Sequence, residues 1–271
     1  MERFYKLRDW IDINKLNWEA LSSNPAGISL LEKNPNKIWW TQLSKNPSAI
    51  HILEKNKYKI DWCNLSKNPS AIYLLEKNPH EINWNYLSSN TSAIHLLEAN
   101  PDKIWWNNLS SNPAAIHLLE ANQDKIKWRY WLSRNPAAIH LLEANLDKIW
   151  WYVLCENPAA IHLLEANPDK IDWLFLSMNP SAIHLLETNL DKINWNNLSM
   201  NPAAIHLLEA NQDKIDWKCL SSNTAIFKLD YEAIKQSKKQ LHEELIAYYM
   251  HPQRIQCFLE SGNEIEDLDD M

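Results

Sequence analysis

Apolar and polar positions recur with a period of 22 residues from Asn24 to Ser222, most cleanly in the copy NPAAIHLLEANPDKIDWLFLSM that begins at Asn157. Nine copies start at Asn24, Asn46, Asn68, Asn90, Asn112, Asn135, Asn157, Asn179 and Asn201, and only one carries an extra residue. Self-similarity at a fixed period is the mark of a stacked array. In the first half of each copy Asn suits a helix N-cap, because its side-chain oxygen accepts a bond from an orphaned backbone N–H, and Pro suits the first helical position. Ala71, Ile72 and Leu75 of the third copy fall at i, i+1 and i+4, which puts them on one face. A second Asn, from Asn34 to Asn211, closes each copy; Asn tolerates the left-handed conformation that ends helices, and Pro follows it in four of nine copies.

The second half reads P-D-K-I-x-W-x-x-L-S. Ile and Trp two residues apart would point to different sides of one helix, and the residue between them is Asp or Asn at Asn17, Asp61, Asn83, Asp172, Asn194 and Asp216. That position reads as a second N-cap, so P-D-K-I is a turn whose Ile plugs the core, and a short helix runs from Trp to the next Asn. One continuous helix from Pro to Ser is the alternative. Helices this short are marginal alone, so neighbouring copies must hold them.

The predicted architecture is all-α: a solenoid of 22-residue, two-short-helix repeats over residues 24–222, with an N-terminal cap and half-repeat over 1–23 and a helical C-terminal cap with an acidic tail over 223–271. Leu16, Trp18, Leu21 and Ser22 form the half-repeat. With neighbouring helices ~8–10 Å apart, about ten units predict a rod or gentle superhelix on the order of 80–100 Å long. The insertion within 126–135, at Trp131 or a neighbour, predicts a local change of path. After Ser222, Asp230 can cap a longer helix to about Tyr249 with Leu241, Leu245 and Ile246 on one stripe, and His251-Pro252 can start another that Gly262 ends. The tail from Asn263 has the composition of a disordered segment.

Composition narrows the class. Two glycines and abundant Ala, Leu, Glu and Lys favour helices over a β-solenoid. The net charge of −7 comes largely from Glu264, Glu266, Asp267, Asp269 and Asp270, so broad nucleic-acid binding is not expected, although residues 31–78 carry eight lysines against four acids. Four cysteines (Cys63, Cys155, Cys219, Cys257) without CxxC spacing read as free thiols of a reducing compartment. No secretory signal or membrane span is evident, and a cytoplasmic location is expected.

The repeat NPxAIHLLExNPDKIxWxxLSx, together with the closing LHEELIAYYMHPQRIQCFLESG, resembles repeat-rich proteins encoded by giant viruses, the nucleocytoplasmic large DNA viruses. The resemblance implies a viral protein acting in an infected protist's cytoplasm or in the virion, and transfers no catalytic residue.

Candidate chemistry is sparse. Seven histidines (His51, His95, His117, His140, His162, His184, His206) recur one per copy, too far apart for a shared metal, and read as structural pairs with Glu, within a helix or between repeats. The Trp row (Trp18 to Trp217) reads as inter-repeat packing rather than a stacking track, and the Ser row lacks a His–acid partner. No catalytic site, metal or cofactor is expected. The two residues after each Trp vary while the first helix barely changes, and the extra aromatics Tyr130, Trp131, Trp150, Tyr152 and Phe175 gather in adjacent copies. Exposed aromatics mark interface hot spots, so these five are the candidate protein-binding residues of a non-enzymatic scaffold or adaptor. The alternatives are drift with local repacking for the cluster, and a self-assembling structural component of a virus particle for the whole chain. The partner expected is another protein, with neither nucleic acid nor membrane.

Overall fold

The computed structural model describes residues 4–249 together with 251, 253, 254 and 256. It is all-α apart from two three-residue strands, and the repeat sets every element. In the copy at Asn157 a 3-10 turn (Pro158–Ala160) leads into a short α-helix (Ile161–Ala166), a second 3-10 turn (Pro168–Lys170) and a second helix (Trp173–Leu176). These are called below the Pro turn, the Ile helix, the second turn and the Trp helix. A continuous helix is therefore excluded: Ile171 sits in extended backbone (φ −71°, ψ 119°) between the last two elements. The six Asp and Asn residues expected as second N-caps all accept a backbone N–H, as Asp61 does from Asn64 at 2.9 Å. The Ile helix ends differently from expectation. Its closing Asn residues are not left-handed but lie at φ between −131° and −143°. Each instead donates its side-chain amide to the carbonyl four residues back, as Asn34 does to Leu30 at 2.9 Å, which satisfies an orphan carbonyl directly.

Equivalent elements stack on one another. The first Asn of each copy is buried and uses most of its bonding capacity: in Asn46, Oδ1 accepts from Ser48 N, and Nδ2 donates to Ser22 O and Asn24 O of the preceding copy, all at 3.0 Å. The buried Ser row adds a second ladder, since Ser44 Oγ donates to Trp40 O and accepts from Asp61 N of the next copy. Between these ladders run fully buried rows of Leu (Leu43, Leu65, Leu87, Leu109) and Ala (Ala49, Ala71, Ala93, Ala115). Successive Pro turns, and Trp helices such as those that start at Trp18, Trp40, Trp62 and Trp84, pack more closely than successive Ile helices do. The array must curve toward the side where its spacing is smallest.

It curves until its ends meet. Asn24 Nδ2 donates to Ser221 O at 3.1 Å and Asn223 O at 3.0 Å, and Asn17 N donates to Ser221 Oγ at 2.8 Å, repeating at the seam the bonds of every internal junction. The C-terminal turn Thr224–Ile226 and the N-terminal segment from Ile13 to Ser22 together make a tenth unit, half from each end. Where that unit lacks an Ile helix, strand β1 (Tyr5–Leu7) pairs with β2 (Phe227–Leu229). Arg8 donates from its backbone N to Ile226 O at 2.9 Å and from Nε to Ala225 O at 2.7 Å; Lys228 pairs with Asp9 at 2.6 Å. The expected open rod is thus corrected to a closed ring, because the two half-repeats at the chain ends complete each other. The insertion does not redirect the path either: Asn135 still donates to Ser110 O at 3.0 Å and Asn112 O at 3.1 Å.

Closure predicts that Asn24→Ala and Asn112→Ala lower stability equally. Each removes an N-cap bond and leaves two buried carbonyls without their donor, a cost of about 2 kcal/mol. The cap bond from Ala26 N to Asn24 is local, so thermal melts giving a loss at Asn24 no larger than a cap alone, about half of that at Asn112, would mean that the seam is open in solution.

The repeat body ends at Lys228, and a second unit begins at Leu229. That unit contains the helix Tyr231–Tyr249, started by Asp230, whose side chain accepts from Ala233 N, and bearing a Gln240–Glu244 hydrogen bond. Leu241 and Ile246 of the expected apolar stripe are exposed. Of the short helix expected from His251 to Gly262, residues 253, 254 and 256 are helical and Arg254 N donates to His251 O at 2.8 Å; the rest of it, Cys257 and the acidic tail lie outside the described residues. Among the described residues no helix is long and apolar enough to cross a membrane.

Candidate functional site

The Trp helices carry the variable positions, and their geometry follows from the cap in front of them. In the ordinary copy an Asp or Asn cap starts the helix and the following Trp lies half-buried against the core. A lysine of the next copy covers that ring, as Lys37 covers Trp18 at 4.3 Å and Lys125 covers Trp106 at 4.7 Å. The cation–π pair explains why Lys recurs in P-D-K-I. Four copies give up the cap: Trp39, Trp105 and Trp150 stand there and make no side-chain cap bond, and Lys127 stands there in the copy with the insertion. A cap is worth ~1 kcal/mol, yet Trp39 and Trp105 are 54% and 52% exposed, so packing does not repay its loss.

The insertion reshapes the fifth copy. Leu132 N donates to Lys127 O, five residues back, where Leu109 N donates to Trp105 O, four back. The Trp helix is replaced by a wider turn over residues 128–131, which carries Tyr130 and Trp131 outward.

All five candidate aromatics come together. Their rings form an unbroken chain: Trp131 to Tyr130 at 5.3 Å and Tyr130 to Trp150 at 6.4 Å, both edge-to-face, then Trp150 to Tyr152 at 4.9 Å and Tyr152 to Phe175 at 5.4 Å. Tyr130 is exposed and the other four are half-buried. Arg134 anchors one end, with its guanidinium 4.7 Å over the Tyr130 ring, a bond from Nη1 to the Tyr130 hydroxyl at 3.0 Å, and an ion pair to Glu156 at 2.7 Å. Two cavities adjoin the chain. One of about 480 Å³ lies under Arg129, Tyr130 and Trp131; the other, about 360 Å³, is lined by Lys67, Tyr86, Trp105, Asn107 and Trp131. Sequence reasoning missed Trp39, Trp105, Tyr86 and Lys67. The signal for the two Trp residues was the Trp-Trp doublet standing where an Asn or Asp cap belongs.

The other rows are structural in form. Each of the seven histidines places Nε2 2.7–3.0 Å from a Glu of the preceding copy, as His117 does with Glu98, so the pairs bridge the widely spaced Ile helices. Cys155 replaces Ser in its ladder, with its Sγ donating to Trp151 O and accepting from Asp172 N, both at 3.3 Å; burial pushes its thiol up to about 11. Alkylation at pH 8 should therefore modify exposed Cys63 while sparing Cys155 in the folded protein. Peptide mass mapping checks this, and equal labelling would show that the Cys155 junction opens.

The family described as "periplasmic copper-binding protein (NosD)" matches residues 9–151, just over half of the chain. By this match the chain belongs to the NosD family. The matched segment starts at Asp9, ahead of the N-terminal half-repeat, and ends at Trp151 within the repeat series, so it spans repeats rather than one localised site. The copper in the NosD description has no evident donor set here. Among the described residues no three His, Cys, Asp or Glu side chains converge as a metal site, and the histidine Nε2 atoms of the repeat row already face a carboxylate. No curated protein and no solved structure matches the chain.

Proposed function

We propose that the ring is a non-enzymatic scaffold that binds another protein through the aromatic chain from Trp131 to Phe175. The observation that carries this reading is the chain itself: five rings in mutual contact across three consecutive units, on the face that varies from copy to copy. Large amphipathic side chains that are ordered before binding lose little entropy in an interface, which is why aromatic residues dominate hot spots. An invariant face can only repeat one contact, whereas recognition of one partner needs the non-uniformity seen here. The Arg134–Glu156 pair and the edge-to-face contacts hold the rings in place in the free protein, so little order is left to be gained on binding.

The test replaces Tyr130 and Tyr152 with Ser together. Affinity purification from protist cells infected with a giant virus, the setting the sequence resemblance suggests, should recover a partner with the unmodified chain and lose it with the double variant. The melting temperature should fall by the equivalent of ~1 kcal/mol or less, because both rings are at least partly exposed. Retained binding would refute the assignment, and so would unfolding of the variant, since these side chains would then be core.

A further inference from the structure

The two cavities beside the aromatic chain define the partner's chemistry, an inference that rests on the scaffold reading above. They are consecutive: one lies between the Trp helices that start at Trp84 and Trp106, the next between the latter helix and the inserted turn, and Asn107 and Trp131 line both. The two cavities adjoin across Asn107 and Trp131. An extended polypeptide points alternate side chains the same way, ~6.6 Å apart, so one short segment can place a side chain in each. Each cavity offers aromatic walls to an apolar side chain, with Tyr86 36%, Trp105 52% and Tyr130 37% exposed. Between the cavities stands exposed Asn107, whose amide can donate to and accept from a passing backbone.

Charge selects the rest of the partner. Lys67, Lys127 and Arg129 line the cavities, and none of them makes an ion pair among the described residues. Lys67 is instead 4.7 Å over the Tyr86 ring, and beside it Lys45 has its ammonium held below the usual lysine range by burial and by the charge of Lys67. Glu156, beside the aromatic chain, is neutralised by Arg134. We propose that the groove from Lys67 to Tyr130 binds an extended acidic peptide, with alternate apolar side chains in the two cavities and its carboxylates against Lys67, Lys127 and Arg129. A nucleic acid fits less well. Tyr130, Trp131 and Trp150 present edges to one another rather than a row of free faces, and three cations make a short footprint for a polyanion.

Fluorescence anisotropy tests this with four labelled probes: an alternating Glu/Phe peptide of about eight residues, its Lys/Phe counterpart, a Glu/Phe peptide with its Phe residues in one block, and a short oligothymidylate. The alternating acidic peptide should bind at least tenfold more tightly than the other three. Lys67→Glu and Arg129→Glu should each weaken it about tenfold with the melting temperature unchanged. Equal binding of the basic peptide, or tighter binding of the oligothymidylate, would overturn the proposal. So would indifference to both charge reversals. If the probes show no preference while Tyr130→Ser with Tyr152→Ser still abolishes partner recovery, the acidic-peptide inference fails and the scaffold reading stands; if the partner is also retained, both fail.

Discussion

A chain that begins at Asn17 is expected to open the ring. The deletion removes β1, both Arg8 bonds, the Asp9–Lys228 pair, the cation of Lys15 4.8 Å over Trp217, and the buried side chains of Ile11 and Leu16. The two apolar side chains alone account for about 3–6 kcal/mol at ~1.5–3 kcal/mol each. For a chain of this size that corresponds to a fall in melting temperature on the order of 10–20 °C. Small-angle scattering at low concentration should show a larger maximum dimension, because the seam then keeps the ladder bonds of Asn17 and Asn24 and the packing of Pro25–Gly27 on Thr224–Ile226 but loses the strand pair that fastens it. An unchanged scattering curve would show that the N-terminal segment does not hold the ends together. A milder variant, Arg8→Ala with Asp9→Ala, removes the side-chain contacts alone and should shift both readouts in the same direction by less.

The second large effect lies in the Leu row. Leu109 is fully buried, and its truncation to Ala leaves a cavity that two neighbouring units cannot collapse without breaking the Asn and Ser ladders on either side. A loss of ~2–5 kcal/mol is expected. Trp106 is the larger residue but the smaller loss: it is half-buried and its exposed face is covered only by Lys125. Trp106→Ala should cost about 2 kcal/mol, below the usual range for a core aromatic. Denaturant melts of the two variants decide the order, and a Trp106 loss exceeding that at Leu109 would mean that the Trp row, not the Leu row, is the spine of the ring.

What could be read from the sequence was local. The 22-residue period, the two short helices, and the caps at Asn46 and Asp61 follow from spacing within one copy, and the structure carries all of them. The Asn ladder was half legible. Asn46 was recognisable as a cap for Ser48 N, but its two bonds to the preceding copy depend on spacing between copies. Closure was harder still, because Arg8 and Ile226 or Asp9 and Lys228 are brought together only by curvature summed over the whole array. A trace of it was present: the repeat series opens with the second half of a repeat, at Leu16 to Ser22, and closes with the first half of one, at Asn223 to Ile226. Two complementary halves are what a circle requires, whereas an open array needs only polar covers. At the binding face the five aromatics were legible because they break the repeat. Lys67 was not, since it looks like one more lysine until Tyr86 is seen beneath it.

The seam also constrains how such a protein can evolve. Open arrays lengthen and shorten by duplicating or deleting units, because each unit sees only its neighbours. Here ten units share one full revolution, so the rotation between neighbours is tied to their number. A duplicated unit would force every junction to re-aim its Asn and Ser bonds or leave the two half-repeats apart. Copy number is therefore fixed by the geometry of the junctions, whereas substitutions on the Trp helices and a single-residue insertion such as the one beside Trp131 leave it untouched, because the ladder from Asn112 to Asn135 absorbs them.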